Sequence, residues 1–141
     1  MKEFFDTSVL VAAFWAGHVH HQASVTRLGA ANKKQSACGI HSVAEVYAVM
    51  TALSVKALIP PEQALLFVEE VRDRLTLVAL ESEEYFAAIQ KTAGRGFSGG
   101  RVYDALLLAC AAKAKAQTIY TWNLKHYQAL APELSARILT P

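Results

Sequence analysis

Short runs of apolar residues alternate along this chain with longer stretches whose apolar positions recur at helical spacing. KEFFD (Lys2–Asp6) is brief, aromatic and stopped by an acid, the pattern of a buried strand. Ser8 to Ala16 then predicts a helix. VHHQASVTRLGAAN (Val19–Asn32), with Ala23, Leu28 and Ala31 among polar neighbours, predicts a second. SACGI (Ser36–Ile40) reads as a short strand, and SVAEVYAVMTAL (Ser42–Leu53) as a helix opened by a Ser-x-x-Glu capping box. Pro60 and Pro61 punctuate the chain, and Pro61 begins a helix reaching Leu75. TLVAL (Thr76–Leu80) predicts a strand, Ser82 caps a helix that Gly94 ends, and GRGFSGG (Gly94–Gly100) is a loop. Arg101 to Lys115 is helical, TIYTW (Thr118–Trp122) a strand, HYQALAPEL (His126–Leu134) partly helical, and ARILT (Ala136–Thr140) a last edge strand.

Strands alternating with helices imply an α/β fold, a parallel sheet with helices on both faces. The 141 residues suffice for one domain with a full core and are too few for two. One domain spanning residues 1–141 is therefore expected. A hydrophobic fraction of 53% with 18% charged residues excludes a disordered chain. The net charge of +2 is compatible with a nucleic-acid partner without arguing for one. Cys38 and Cys110 lack CxxC spacing, so neither zinc site nor disulfide is read from them, and a reducing cytoplasm fits best. VLVAAFWAG (Val9–Gly17) follows Glu3 and Asp6, where a signal peptide carries positive charge, and is too short to span a bilayer. Neither an export signal nor a membrane span is expected.

In open α/β sheets ligands gather outside the carboxyl ends of the strands. That rule selects Asp6, which ends the first strand; Glu45, a few residues past the second; Asn123, after TIYTW; and Asp104, in the first turn of the helix feeding that strand. Each also has an ordinary reading. Asp6 suits an N-cap, Glu45 the third position of a capping box, and Asn123 the cap of a short helix. Asp104 is harder to dismiss. From Val102 to Ala112 it is the one side chain that is neither apolar nor aromatic, and only Arg101 stands near it as a cation. Three carboxylates and an amide at one sheet edge repel unless a cation sits among them. Hard oxygen ligands suit Mg²⁺ or Mn²⁺ rather than zinc, and such an ion serves phosphodiester hydrolysis.

Taken together, FFDTSVLVAAF, HSVAEVYAVMT, GGRVYDALLLACA and TIYTWNLKHY resemble, in order and spacing, the PIN domain. The likeness is specifically to the VapC-type ribonuclease toxins of bacterial toxin–antitoxin pairs, and it spans nearly the whole chain. It implies a flavodoxin-like three-layer α/β/α sandwich with a central parallel sheet. It also implies Mg²⁺- or Mn²⁺-dependent endoribonuclease activity, a cognate antitoxin that blocks the site, and a homodimer. Asp6, Glu45 and Asp104 match the first three family acids. The fourth acidic position falls at Asn123, where the family often has Asp; an amide ligates through its carbonyl oxygen and lowers the site's charge by one. Thr121, and Thr7 or Ser8 beside Asp6, are expected to orient the cluster by hydrogen bonding. A partner's arginine among these acids would replace the metal's charge.

Other signals carry less. HVHH (His18–His21) lacks HExxH spacing and reads as exposed histidines at a helix–helix turn. GRGFSGG lacks the Gly-Lys-Ser/Thr ending of a phosphate-binding Walker loop, but Arg95 and Arg101 flank it at a helix N-terminus, where phosphate is favoured. They are the expected RNA contacts. Trp15, Phe14 and Tyr47 read as core or interface residues. A haloacid-dehalogenase-type phosphatase needs a second Asp where Ser8 stands, and a receiver domain needs paired acids at the first strand. The remaining rival is a PIN-like module that binds RNA or an antitoxin without cutting.

Overall fold

A computed structural model describes residues 1–52 and 59–141. The elements follow in chain order: β1 (Glu3–Phe5), α1 (Thr7–Phe14), α2 (His21–Gly29), β2 (Ser36–Gly39), α3 (Ile40–Thr51), α4 (Pro61–Arg74), β3 (Thr76–Val78), α5 (Ser82–Gly94), α6 (Arg101–Lys113), β4 (Thr118–Tyr120), α7 (Leu124–Leu130), a 3-10 helix (Pro132–Arg137) and β5 (Ile138–Leu139). The five strands form one parallel sheet in the order β3-β2-β1-β4-β5. Every predicted element is present, with ends shifted by a few residues; Leu53, predicted to end α3, lies outside the described residues.

Alternation within the three central strands divides the interior into two cores. Phe5, Cys38 and Tyr120 face one side, where α1 to α4 supply Leu10, Val46, Met50, Val71 and their neighbours. Phe4, Ala37 and Ile119 face the other, packed by Leu107 and Ala111 of α6 and Tyr127 and Leu130 of α7. With β1 central, the chain first winds towards β2 and β3 and later returns to β4 and β5. The strand order therefore reverses between β1 and β4, the switch point beside which such sheets bind ligands.

Gly39, the last residue of β2, is a fixed point of this packing. A Cβ there would lie 2.6 Å from Leu107 Cδ2, so α6 approaches β2 closely only because position 39 has no side chain. The same residue stands at the N-cap position of α3. One glycine thus sets the approach of two helices that carry acids.

Three sequence expectations about helix starts are corrected. The helix predicted from Ser42 begins two residues earlier, at Ile40, so Ser42 and Glu45 lie inside it and form no capping box. Glu81, rather than Ser82, is the N-cap of α5; its side chain and that of Glu84 make the reciprocal bonds, because ESEE offers acids at both required positions. The second helix starts at His21 rather than Val19, since residues 16–20 form turns and a bend. Among the described residues no helix is long and apolar enough to cross a membrane.

Candidate active site

Asp6 follows β1 directly and is 1% exposed. Its backbone N–H donates to the Tyr120 carbonyl (3.0 Å), which ties the residue to the end of β4. A buried carboxylate is tolerated only with several donors, and here they come from three elements. Oδ2 accepts from the Ser8 hydroxyl (2.6 Å), the Ser8 N–H (3.3 Å) and the Thr121 hydroxyl (2.8 Å). Oδ1 accepts from the Tyr127 hydroxyl (2.5 Å). The N-cap expectation is met, through the Ser8 N–H, and Asp6 still stands at the carboxyl edge of the sheet. Ser8 and Thr121 extend the network by accepting from the N–H groups of Trp122 (2.9 Å) and Asn123 (3.0 Å). The loop after β4 is thereby stitched to the first acid.

Glu45 reaches the same edge from α3. Ser42 and Glu45 are three residues apart and so share a helical face, which is turned towards Thr7. Thr7 Oγ1 lies 2.8 Å from Ser42 Oγ and 3.0 Å from Glu45 Oε1. Burial raises the Glu45 pKa; the Thr7 bond and the nearby His41, whose Nε2 is 3.6 Å from Oε1, pull it down, and Asp6 pushes it up again.

Asp104 projects from the first turn of α6 and is half-buried. Its pKa is raised to about 7, first by burial and then by the charges of Asp6 and Glu45; the nearby Tyr127 hydroxyl and Arg101 offset part of this. Arg101 is a weak counterweight because its guanidinium lies over the Phe97 ring, 5.0 Å from the centroid. Asn123 occupies the N-cap position of α7, yet its side chain makes no capping bond. It lines an open pocket of about 270 Å³ together with Asp6, Thr7, Ser8, Glu45 and Asp104.

Most of the residues singled out in the sequence therefore meet at one edge, Thr121 among them through its bond to Asp6. Arg95 does not join them. Its guanidinium donates to the Leu130 carbonyl and pairs with Glu133 at 3.5 Å, beside a separate cavity of about 230 Å³ between α5, α6 and α7. The histidines are packed rather than simply exposed: His18 lines the acidic pocket, His20 stacks on Trp122, and His21 Nδ1 lies 2.8 Å from the Ala12 carbonyl. Burial and its two histidine neighbours lower the His18 pKa.

Sequence reasoning missed Tyr127. It is fully buried, and its phenol reaches Asp6 from α7. Burial and the charges of Asp6 and Asp104 hold its pKa well above the ordinary value, so the hydroxyl remains a donor. The available signal was a tyrosine on the inward face of a short helix, since a buried phenol requires a polar partner.

As the side chains stand, no three acidic, histidine or cysteine residues among the described residues are gathered closely enough to hold a metal ion. The donor set nevertheless fits a hard divalent cation. Oxygen donors from separate elements line one solvent-open pocket, and the mutual repulsion that adds to burial in lifting Asp104 is what a cation would relieve.

Residues 4–129 match the PIN domain family. The chain is 31% identical over 124 residues to ribonuclease VapC40 of Mycobacterium tuberculosis, 85% of each chain being covered. Its fold is similar to that of M. tuberculosis VapC20, a sarcin-ricin loop cleaving toxin (TM-score 0.74, 17% identity, 91% of this chain and 95% of that one). It is similar, too, to DNA-bound VapBC from Salmonella typhimurium (TM-score 0.67, 17% identity, 99% and 98% covered). This chain belongs to the PIN domain family. Within it, the chain is homologous to the VapC ribonuclease toxins of VapBC toxin–antitoxin systems.

Proposed function

We propose that residues 1–141 form one PIN domain that acts as a metal-dependent endoribonuclease, the toxin of a cytoplasmic toxin–antitoxin pair. The observation that carries this reading is the convergence of Asp6, Glu45 and Asp104, from three different elements, with Asn123 in one open pocket. Asp6, Glu45 and Asp104 would hold Mg²⁺ or Mn²⁺, with the Asn123 carbonyl oxygen beside them. When bound, the ion activates water and offsets charge that builds on a phosphoryl oxygen.

The chain's own residues hold this arrangement in place. Ser8, Thr121 and Tyr127 leave Asp6 no freedom to turn away from the pocket, because each donates to one of its oxygens. Thr7 positions Glu45 from beneath. Asp104, whose ionised form is disfavoured by burial and by the charges of Asp6 and Glu45, is the acid that would gain most from a cation in the pocket. Arg101, one turn from Asp104, would be the cation to meet a phosphate, whereas Arg95 is committed to Leu130 and Glu133. The VapBC complexes among the similar folds support a cognate antitoxin as partner.

Cleavage of RNA by the purified chain tests the proposal. We expect Mn²⁺-dependent cutting that EDTA abolishes and that Asp6→Asn abolishes in a protein that still melts cooperatively. RNA binding that is indifferent to metal, without any cutting, would instead identify a binding module.

A further inference from the structure

We propose that His41 and Tyr103 form a stacking platform for one unpaired base of a single-stranded RNA whose backbone lies at the carboxylate pocket. This rests on the ribonuclease reading above. The two rings come from different helices, with centroids 5.3 Å apart and planes inclined by only 9°. Tyr103 immediately precedes Asp104 on α6, and His41 lies one turn before Glu45 on α3 and touches its carboxylate. The pair is thus built onto the same two helical turns that present two of the acids.

Packing does not account for this pair. Tyr103 is 48% exposed, and neither ring belongs to the two buried cores. Among the described residues the Tyr103 hydroxyl has no hydrogen-bond partner. A second parallel stack, His20 on Trp122 (3.7 Å, 6°), makes the contrast. Trp122 packs against the core and its indole N–H donates to Ser24 Oγ (2.8 Å), so the fold explains it.

His41 backs one face of the Tyr103 ring, and the outer face of this exposed ring, beside the proposed phosphodiester site, is suited to a nucleobase. A base within a duplex has its faces covered by its neighbours, so the platform selects single-stranded segments, loops or bulges. Arg101, in the same turn as Tyr103, supplies positive charge for the adjoining phosphate.

The test uses a short single-stranded RNA carrying the fluorescent base 2-aminopurine at successive positions, bound in EDTA so that nothing is cut. Quenching on binding is expected at one position. Tyr103→Leu should abolish that quenching and weaken binding by about ten-fold, with Tyr103→Phe recovering most of both. His41→Phe, which keeps a ring but loses the Glu45 contact, should still quench; loss of quenching there would overturn the stacking role. The proposal is equally overturned if Tyr103→Leu binds and quenches like the parent, or if it loses affinity for an antitoxin while RNA binding is unchanged. Because quenching is read without metal, it is separate from the ribonuclease reading, whose failure would show as no cleavage by the parent with Mn²⁺.

Discussion

Replacing Asp104 by Asn should make the metal-free protein more stable at pH 8, although it removes a proposed ligand. The folded-state pKa of about 7 lies above the ordinary 3.8, because burial and the charges of Asp6 and Glu45 disfavour the carboxylate. The folded protein therefore binds this proton more tightly than the unfolded chain does. The sign follows from linkage: stability falls as pH rises through the interval between the two values, and above about pH 7 the whole penalty is present. A shift of roughly three pKa units corresponds to about 4 kcal/mol at 1.36 kcal/mol per unit. Asp104 is only half-buried, so solvent screening reduces this to about 1–2 kcal/mol. For a chain of this size, that is a rise in melting temperature of about 3–6 °C. Asn is isosteric with the protonated acid, and the Tyr127 hydroxyl stays committed to Asp6 Oδ1 in both proteins. Thermal melts of both proteins in EDTA from pH 4 to 8 are the assay. The gap should open between about pH 4 and 7 and stay constant above. Added Mn²⁺ should stabilise the wild type and leave the variant unmoved. An Asn variant that melts at or below the wild type at pH 8, with no pH-dependent gap, would refute the repulsive-cluster argument.

Tyr127→Phe removes one donor from a fully buried carboxylate oxygen and should cost about 1–3 kcal/mol in urea unfolding, with cleavage falling as Asp6 loosens. Asn123→Asp adds a negative charge to the pocket and should tighten Mn²⁺ binding by calorimetry; unchanged affinity would place residue 123 outside the metal's reach. Gly39→Ala places a methyl group against Leu107 and should destabilise by about 1–3 kcal/mol in the same unfolding assay, through overpacking between β2 and α6.

Where the chain's chemistry is local, the sequence was readable. Phe4 and Phe5 stopped by Asp6, and TIYTW followed by Asn123, announce buried strands that end at a polar edge, and the sheet places both ends side by side. The α/β class followed from the same alternation. Legibility failed where one pattern served two geometries. Ser-x-x-Glu has the spacing of a capping box and also of a single helical face; the helix starts directly after Gly39, and tertiary contact with Thr7 takes the face. Arg95 looked like a phosphate contact from its place beside glycines, but the carbonyl at the end of α7 claims it, a partner 35 residues away that no local pattern shows. Tyr127 was hidden for a related reason: its bond to Asp6 spans 121 residues.

The position of Asp6 has a consequence for competition at the site. Phe4 and Phe5 anchor β1 in opposite cores, and a shift of one residue would exchange them. Asp6 therefore cannot retreat from its neighbours, and the repulsion is expressed on Glu45 and Asp104, which sit on half-exposed helical turns. A proton on Asp104 and a divalent ion relieve the same unfavourable charge, so each displaces the other. With the metal proposed above, the pocket would behave as a single exchange position: acidification would lower the apparent affinity for metal, and loading the metal would release a proton to solvent.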